Sequence, residues 1–364
     1  MIQKNTPICD MKTPAGIGKI DEVVNGLKYY SVLTAALKTG IFDWLDENGP
    51  SDKEVITSSL EFNGMFTRCF LATLEDMGFI SEEKGMFSNT ELTENFLISK
   101  SPFYQGDLIL SHKEGSSKWN DLAGNIKNQN ERIAGFEEGP SQGHINSIAQ
   151  RGIRGEFQTI VSRIANWDKF SQSKKALDIG GGHGLYCVAL CQKNPDLKAV
   201  VFDKPHIVPV ALDYVEKYGM KNQISVVAGD MTKAIPHDDY DIIMMSHLLY
   251  KFRNDLPCII KKVSESMKDG GLLVLNHWFC STGCLPETGH AINDLEKSLI
   301  SFGHPLCHPD EFAKVLNTNG FEVIESSMVP TAYGNSTLHL AVFNKSAKKS
   351  SEDTNDENSC CKCR

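Results

Sequence analysis

The stretch that decides the fold is Ala176–Gly184, which reads Ala-Leu-Asp-Ile-Gly-Gly-Gly-His-Gly. The apolar residues around Asp178 are typical of a buried strand, and the glycines after them are typical of a sharp turn into a helix, here predicted over Leu185–Lys193. Such a turn leaves backbone N–H groups free at the start of the helix, where a ligand can approach closely. The turn alone does not identify the ligand, since a dinucleotide-binding loop or a plain strand–helix connection would use the same residues.

Further short apolar runs follow this helix and alternate with helical patterns. After the first strand they are Ala199–Phe202, Ile224–Val227, Asp241–Met245 and Leu272–Leu275. Strands that alternate with helices predict an α/β fold, a Rossmann-like doubly wound parallel sheet that binds its ligand at the carboxyl ends of the strands. Two last runs, Phe321–Ser326 and Leu338–Phe343, predict a hairpin at the edge of that sheet.

Three of the predicted strands contain an acidic residue or lead directly to one. Asp178 belongs to the first, and Asp203 ends the second, where a carboxylate can bind both ribose hydroxyls of a nucleoside. The third strand leads to Asp230 and Met231, a carboxylate for an adenine amino group and an apolar side chain for the ring face. Three acids with no phosphate-binding Lys or Arg favour a cationic nucleoside without phosphate. S-adenosylmethionine fits this charge pattern better than NAD or ATP.

The same segments resemble the small-molecule O-methyltransferases, a family that includes plant phenolic and animal hydroxyindole methyltransferases. The resemblance rests on Leu177–Gly184, Val201–His206, Gly229–Met231, Gly270–Leu275 and the N-terminal stretch Ala36–Asp43, and covers roughly residues 20–343. It implies an S-adenosylmethionine-dependent enzyme with an N-terminal dimerisation domain. The cofactor site that it implies comprises Asp178, Gly180, Gly182, Asp203, Asp230, Met231 and Ser246.

The segment after the fourth strand departs from the family pattern. Family members usually have a His-Asp-Trp phrase there, whose histidine deprotonates the acceptor hydroxyl, but Ser246–Phe252 reads Ser-His-Leu-Leu-Tyr-Lys-Phe and puts Tyr250 at the base position. A tyrosine with a reference pKa near ~10 accepts protons poorly at neutral pH. His277, after the fifth strand, is the preferred replacement, and His247 is the other candidate.

Other functions stay open at this stage. A thiol or protein side chain as methyl acceptor would need no histidine base, because a thiolate is already a good nucleophile. A cofactor-binding scaffold without catalysis is a further alternative. The residues His277, Cys280, Cys284, Cys307 and His308 invite a zinc or soft-metal site, but their spacing is permissive and we predict no metal. The group Cys360, Cys361 and Cys363 near the C-terminus has no assigned role.

The N-terminal part predicts helices followed by a two-stranded wing. One helix is expected over Asp21–Leu45, a second carries Phe66–Met77 and stops at Gly78, and Phe79–Phe87 reads as a hairpin. This is the pattern of a winged-helix domain. DNA binding is disfavoured, since the second helix offers one base, Arg68, against two acids. Burial in a homodimer interface is the better use of its apolar residues.

These observations divide the chain into five segments. They are a flexible N-terminus 1–19, a winged-helix-like dimerisation domain 20–100, a helical connection 101–170 with helices near 111–128 and 144–170, the methyltransferase domain 171–345 and a disordered tail 346–364. The net charge of −9 disfavours nucleic acid as a partner, and no apolar stretch suits a membrane span. We expect a cytoplasmic protein with free thiols and a small-molecule acceptor.

Overall fold

The computed structural model describes residues 7–113, 117–127, 140–280, 290–306 and 308–347. By its internal contacts the chain divides into two compact units, Met1–Leu110 and Ser111–Arg364. Each unit has its own buried apolar cluster. Among the described residues, no helix combines the length and the apolar character needed to cross a membrane.

The N-terminal unit is mainly helical. Its helices are α1 (Ile17–Thr39), α2 (Ile41–Asn48), α3 (Lys53–Ser59), α4 (Gly64–Asp76), α5 (Glu91–Phe96) and α6 (Gly106–Ser111), the last of which reaches one residue past the unit boundary. The single helix predicted over Asp21–Leu45 is wrong, because the chain turns at Gly40 with a φ of 71°. The left-handed backbone at this glycine ends α1 and lets α2 begin in a new direction.

A small sheet follows these helices. Strands β2 (Ile80–Glu83) and β3 (Met86–Asn89) form the predicted hairpin after Gly78, and β1 (Ser51–Asp52) pairs with β3 to make a third strand. Leu71 and Leu74 of α4 are fully buried, whereas Phe66 of the same helix is 69% exposed. The winged-helix assignment of this unit stays a prediction.

The segment between the predicted domains is broken into shorter helices than expected. They are α7 (Leu122–Lys127), α8 (Gln142–Gly152) and α9 (Glu156–Ala165). The helix predicted near 111–128 begins only at Leu122 in the described residues, because the Asp121 carboxylate accepts a hydrogen bond from the Gly124 N–H and fixes the start there. Gly155, with a φ of 129°, interrupts the helix predicted near 144–170.

The C-terminal unit is built on a seven-stranded mixed sheet. Its strands are β4 (Lys175–Ile179), β5 (Lys198–Asp203), β6 (Ile224–Ala228), β7 (Tyr240–Ser246), β8 (Met267–His277), β9 (Phe321–Thr331) and β10 (Gly334–Phe343). Its further helices are α10 (Leu185–Lys193), α11 (Val208–Lys217), α12 (Leu256–Glu265), α13 (Ala291–Ile300) and α14 (Pro309–Thr318).

The strand order is β6-β5-β4-β7-β8-β10-β9. The first five strands in this order are parallel, which confirms the doubly wound sheet, and the predicted hairpin adds two antiparallel strands with β10 placed between β8 and β9. In the sheet β5 lies on one side of β4, and β7, which comes later in the chain, lies on the other side. A crevice therefore opens at the carboxyl ends of β4, β5 and β7, the usual ligand position in such sheets.

Candidate functional site

The glycine turn between β4 and α10 needs its glycines for two reasons. Gly180 and Gly182 have φ angles of 68° and 53°, in the left-handed region that other residues rarely adopt. Gly181 has an ordinary φ, but a side chain there would place its Cβ 2.8 Å from the Asp178 carboxylate and 2.9 Å from Val201. The backbone at Gly181 therefore lies directly against the end of β4, with no space there for a side chain.

Asp178 is a buried acid with incomplete hydrogen bonding. Its side chain is 2% exposed, and its Oδ2 atom has no hydrogen-bond partner. Burial, and then the neighbouring carboxylate of Asp203, raise the pKa of Asp178 to about 7. A buried carboxylate in this state is a strong site for a cation that can restore the missing interaction.

Asp203 ends β5 beside the turn. Its Oδ2 accepts a hydrogen bond of 2.8 Å from the Gly182 N–H, and its Oδ1 accepts one of 2.7 Å from the Lys204 N–H. Burial raises the pKa of this carboxyl more than the two N–H donors lower it. The structure thus brings Asp203 together with Asp178 and the glycine turn at the carboxyl end of the sheet.

Asp230 and Met231 follow β6 on the same edge. The Asp230 carboxylate accepts hydrogen bonds of 2.7 Å and 2.9 Å from the hydroxyl and N–H of Thr232, which lower its pKa. Met231 is buried in the cluster that also contains Phe202, and the Gly229 N–H donates to the Asp203 carbonyl at 2.8 Å. These contacts tie the end of β6 to the end of β5.

A second polar cluster lies at the ends of β7 and β8. His247 follows β7 with a φ of 51°, and its N–H donates to the Asn276 carbonyl. The His247 Nδ1 atom lies 2.6 Å from the Tyr250 hydroxyl, and its Nε2 atom lies 3.1 Å from Oε1 of Glu156. The His247 side chain is 12% exposed. Left-handed backbone is uncommon for residues other than glycine and tends to occur at functional positions.

Tyr250 is buried inside this cluster. Its hydroxyl accepts a hydrogen bond of 2.8 Å from the Trp278 N–H, and its ring stacks on the Trp278 ring. Burial raises the pKa of Tyr250 well above its ordinary value. A phenolate is therefore strongly disfavoured here, and Tyr250 does not act as a base on its own.

His277 is fully buried at the end of β8. Its Nε2 atom accepts hydrogen bonds from the Leu248 and Leu249 N–H groups at 3.3 Å and 3.2 Å, and its Nδ1 atom has no partner. Burial, followed by the charges of His247 and His339, holds its pKa well below the ordinary value. Its single basic lone pair is thus directed at the backbone, an arrangement that suits a structural role better than proton abstraction from an acceptor.

Two further polar residues complete the cluster, and neither was singled out from the sequence. Glu156 begins α9 and is buried, with its Oε1 accepting from the Asn276 side-chain amide at 3.0 Å and from the Tyr186 hydroxyl at 3.3 Å. The same Asn276 amide lies 3.3 Å from the Ser246 hydroxyl. Ser246, predicted beside the cofactor, is thus a member of this polar cluster.

Of the five residues considered as metal ligands, the structure describes His277, Cys280 and His308. Cys284 and Cys307, like the cysteines at 360, 361 and 363, lie outside the described residues. The Cys280 Sγ lies 3.2 Å from His304, and the His308 ring contacts the Cys280 carbonyl. No three metal-ligating side chains converge anywhere in the ranges that the structure describes.

Sequence comparison assigns both units of the chain. Residues 119–322 match the O-methyltransferase domain, and residues 21–99 match the O-methyltransferase dimerisation domain. The chain belongs to the O-methyltransferase family. This confirms the resemblance read from the glycine turn and the strand-end acids, and it makes the chain an S-adenosylmethionine-dependent methyltransferase.

Relatives of this O-methyltransferase cover most of its length. Acetylserotonin O-methyltransferase of Bos taurus is 25% identical over 75% of this chain and 84% of its own. Phenazine O-methyltransferase PhzM of Lysobacter antibioticus is 23% identical over 86% of this chain and 92% of its own. The crystal structure of human N-acetylserotonin methyltransferase in complex with S-adenosylmethionine superposes with a TM-score of 0.72 at 18% identity, covering 92% of this chain and 99% of that one.

The family match assigns no role to Glu156, but the pattern of residues along α9 distinguishes it from its neighbours. Glu156, Ile160 and Ile164 are spaced four residues apart and so share one face of α9. Both isoleucines are fully buried. A carboxylate in line with a buried apolar stripe is unusual, since a buried charge is costly unless it is paired. This departure from the helix pattern marks a residue with a specific partner.

Proposed function

We propose that this family member transfers the methyl group of S-adenosylmethionine to a hydroxyl group of a small molecule. The observation that carries the proposal is the pair of carboxylates beside the glycine turn, the buried Asp178 and the partly buried Asp203. The printed names of the relatives, acetylserotonin O-methyltransferase and phenazine O-methyltransferase, support oxygen as the atom methylated.

The residues at the carboxyl edge fit the proposed cofactor by charge and shape. The unpartnered Oδ2 of Asp178 suits an ammonium group, and Gly180 and Gly182 leave the backbone open to close approach. Asp203 would bind the ribose, and Asp230 and Met231 the adenine. S-adenosylmethionine supplies an electrophilic methyl group on a sulfonium, so the chain's own task is to orient the acceptor and to receive its proton.

We assign receipt of that proton to His247. The lone pair of His277 is directed at two backbone N–H groups, and burial keeps Tyr250 protonated. His247 combines a partly exposed side chain with a buried carboxylate on its far nitrogen. The positive charge that His247 acquires on receiving the proton is offset by the Glu156 carboxylate 3.1 Å away.

The proposed assembly is a homodimer formed through the N-terminal unit. This unit matches a dimerisation domain, and α1 carries a row of exposed apolar side chains. These are Ile17, Ile20, Val23, Val24, Leu27 and Tyr29. A patch of this kind on a folded domain is typical of a protein interface.

The test is calorimetry with S-adenosylmethionine, followed by turnover with a panel of phenols, alcohols, thiols and amines. We expect binding, and turnover confined to hydroxyl acceptors. Asp203→Ala should weaken binding by about tenfold or more, because hydrogen bonds to a charged group contribute about 1.5–3 kcal/mol each. Asp213→Ala, which changes an exposed acid on α11, is the matched control. Unchanged affinity in Asp203→Ala would remove the ribose assignment, and turnover of thiols alone would move the acceptor to sulfur.

A further inference from the structure

Arg151, in α8, is a buried arginine with incomplete hydrogen bonding. Its side chain is 5% exposed, and its Nε atom has no hydrogen-bond partner. In the ranges that the structure describes, no carboxylate lies within ion-pair distance of its guanidinium. Arginine keeps its charge in proteins and is rarely buried unless it is paired. A buried guanidinium in this state is therefore suited to a partner that carries a negative charge.

A second unpartnered N–H group lies beside this guanidinium. Trp278, the first residue after β8, is 1% exposed, and its indole Nε1 atom has no hydrogen-bond partner. The guanidinium carbon of Arg151 lies 5.7 Å from the centre of the Trp278 ring and 5.0 Å from the centre of the Tyr333 ring. Two neighbouring side chains thus each bury a hydrogen-bond donor without an acceptor. Such donors are costly to leave unsatisfied, so their presence points to a ligand that accepts from both.

We propose that Arg151 and Trp278 form a binding site for a carboxylate group of the methyl acceptor, so that the substrates are aromatic hydroxy acids. The Nε–H of Arg151 and one of its terminal N–H groups would bind the two carboxylate oxygens side by side. The indole N–H of Trp278 would donate to one of the same oxygens. This inference rests on the proposed function, since it names the class of hydroxyl compound that the same site takes.

The proposed carboxylate site adjoins the group assigned to receive the acceptor's proton. The Trp278 and His247 rings are in contact, with 4.3 Å between their centres. Since the Arg151 guanidinium lies 5.7 Å from the same Trp278 ring, Arg151 and His247 are no more than about 10 Å apart. One small aromatic acceptor can therefore place its hydroxyl at His247 and its carboxylate at Arg151. Binding the carboxylate would orient the hydroxyl for methyl transfer.

Three separate elements meet at this site, at the carboxyl end of β8. Arg151 comes from α8, Trp278 follows β8, and Tyr333 lies in the turn between β9 and β10. Thr337 of β10 pairs with His277, so the turn at Tyr333 extends beyond the end of β8. The Tyr333 side chain is only half-buried, and the site therefore borders on solvent at this turn.

Among the described residues, no group next to Arg151 supplies the missing anion. Burial raises the pKa of Tyr333 more than the charge of Arg151 and its hydrogen bond to Tyr333 lower it, so Tyr333 stays neutral. The Glu156 carboxylate interacts with the charge of Arg151 from a distance, and its Oε1 atom accepts hydrogen bonds within its own polar cluster. Burial, and then the charges of Arg151 and Lys118, lower the pKa of His144 to about 4, so His144 is neutral as well. A neutral ligand group would leave the guanidinium without a counter-ion, which favours a carboxylate.

Lys118, the other cation close to this site, has an acid of its own. Its ammonium group is half-buried and donates to the Leu299 carbonyl. Burial lowers the pKa of Lys118 to about 8, against the opposing effect of the Glu296 carboxylate. Glu296 also accepts a hydrogen bond from the Trp119 indole. The negative charge of Glu296 is therefore shared with Lys118 and Trp119, and Arg151 is the cation left for the acceptor.

The test compares the methylation of hydroxy acids with that of their neutral amides. The probes are meta-hydroxybenzoate, para-hydroxybenzoate and a hydroxynaphthoate, each paired with its own carboxamide, at saturating S-adenosylmethionine. We expect wild type to prefer each acid over its amide by about tenfold or more in kcat/KM, because hydrogen bonds to a charged group are stronger than those to a neutral one.

Arg151→Met keeps an unbranched apolar side chain and removes both the charge and the donors. We expect it to lower kcat/KM for the acids by about 10–100-fold, mainly through KM, and to leave the carboxamides within about threefold of wild type. Arg151→Lys restores the charge without the planar fork and should recover part of the preference. Arg163→Met, which removes an exposed arginine from α9, is the matched control and should keep the full preference.

The contrast between acids and amides is a readout that a purely structural role would not move. Replacing an arginine that only stabilised the fold would slow both classes of acceptor alike and lower the melting temperature. Trp278→Phe removes the indole donor, keeps an aromatic ring and should reduce the preference for acids by about 2–10-fold. This second variant decides the question if Arg151→Met does not fold.

The outcomes separate the carboxylate site from the activity beneath it. A wild type that methylates neutral phenols as well as the acids, or better, would overturn the site and leave hydroxyl methylation standing. Equal losses on acids and amides in Arg151→Met would also overturn it, as would an unchanged preference in that variant or, if it does not fold, in Trp278→Phe. A wild type that methylates neither class of hydroxyl would overturn the proposed function itself.

Discussion

Replacing Asp178 with Asn is expected to stabilise the folded protein above neutral pH and to weaken cofactor binding. Burial and Asp203 raise the pKa of Asp178 from an ordinary value of 3.8 to about 7. A folded-state pKa above the unfolded value means that the folded chain binds more protons between these limits. The stability of the wild type therefore falls as pH rises through this window, and the Asn variant lacks that loss.

The size of the effect follows from the two pKa values. One pKa unit corresponds to about 1.4 kcal/mol. Relative to strongly acidic pH, the raised pKa of Asp178 therefore lowers the free energy of unfolding by about 2 kcal/mol at about pH 5, where only the unfolded chain ionises this group, and by about 4 kcal/mol at about pH 8. The stability difference between Asp178→Asn and wild type should thus grow by about 2–3 kcal/mol between these conditions. The constant cost or gain of placing an amide at this position cancels from the comparison.

The assay is urea unfolding of both proteins at the two pH values, followed by the fluorescence of Trp119, Trp167 and Trp278 in the C-terminal unit. Calorimetry on the same samples should show weaker S-adenosylmethionine binding by the variant. A stability difference that does not change with pH would refute the raised pKa of the buried Asp178 carboxyl. Undiminished cofactor affinity would instead separate Asp178 from the cofactor site.

Three further outcomes follow from the structure. Val23→Glu, on the exposed apolar face of α1, should convert the dimer to a monomer in light scattering, whereas a monomeric wild type at micromolar concentration would contradict the interface. His277→Ala should lower stability by about 1–3 kcal/mol in thermal unfolding, because it removes the acceptor of two N–H groups, and the shape of the pH–rate profile should stay that of wild type. Gly181→Ala should abolish cofactor binding in calorimetry, while Gly64→Ala, an exposed position where the new Cβ would lie 3.8 Å from Thr57 in ordinary contact, keeps it.

The sheet and the cofactor edge could be predicted because they depend on local patterns. An apolar run, a glycine turn and an acid at a strand end each follow from a few adjacent residues, and parallel topology then places the strand ends on one edge. This reasoning fails at Gly40. The helical spacing of apolar residues continues past this glycine, although its left-handed backbone changes the direction of the chain. Periodicity reports which face is buried and does not report a change of direction.

The proton-handling cluster could not be predicted in the same way. Glu156 is separated from His247 by 91 residues in the sequence, and their contact depends on how α9 packs against the sheet. His277 looked suitable because it follows a strand at the correct edge, but the orientation of its ring is set by the Leu248 and Leu249 backbone. Residue type and strand position identify candidates, whereas hydrogen-bond direction decides among them.

The placement of β10 between β8 and β9 has a consequence for synthesis on the ribosome. β8 and β9 are both made before β10, and until β10 emerges β8 lacks one of its two neighbours and β9 lacks its only one. Until then β8 presents an open strand edge, a feature that invites association with other chains. The β9–β10 hairpin, whose pairing is local in sequence, can form first and dock onto β8 as a unit. Nascent chains that stall before residue 334 would therefore expose this edge to chaperones.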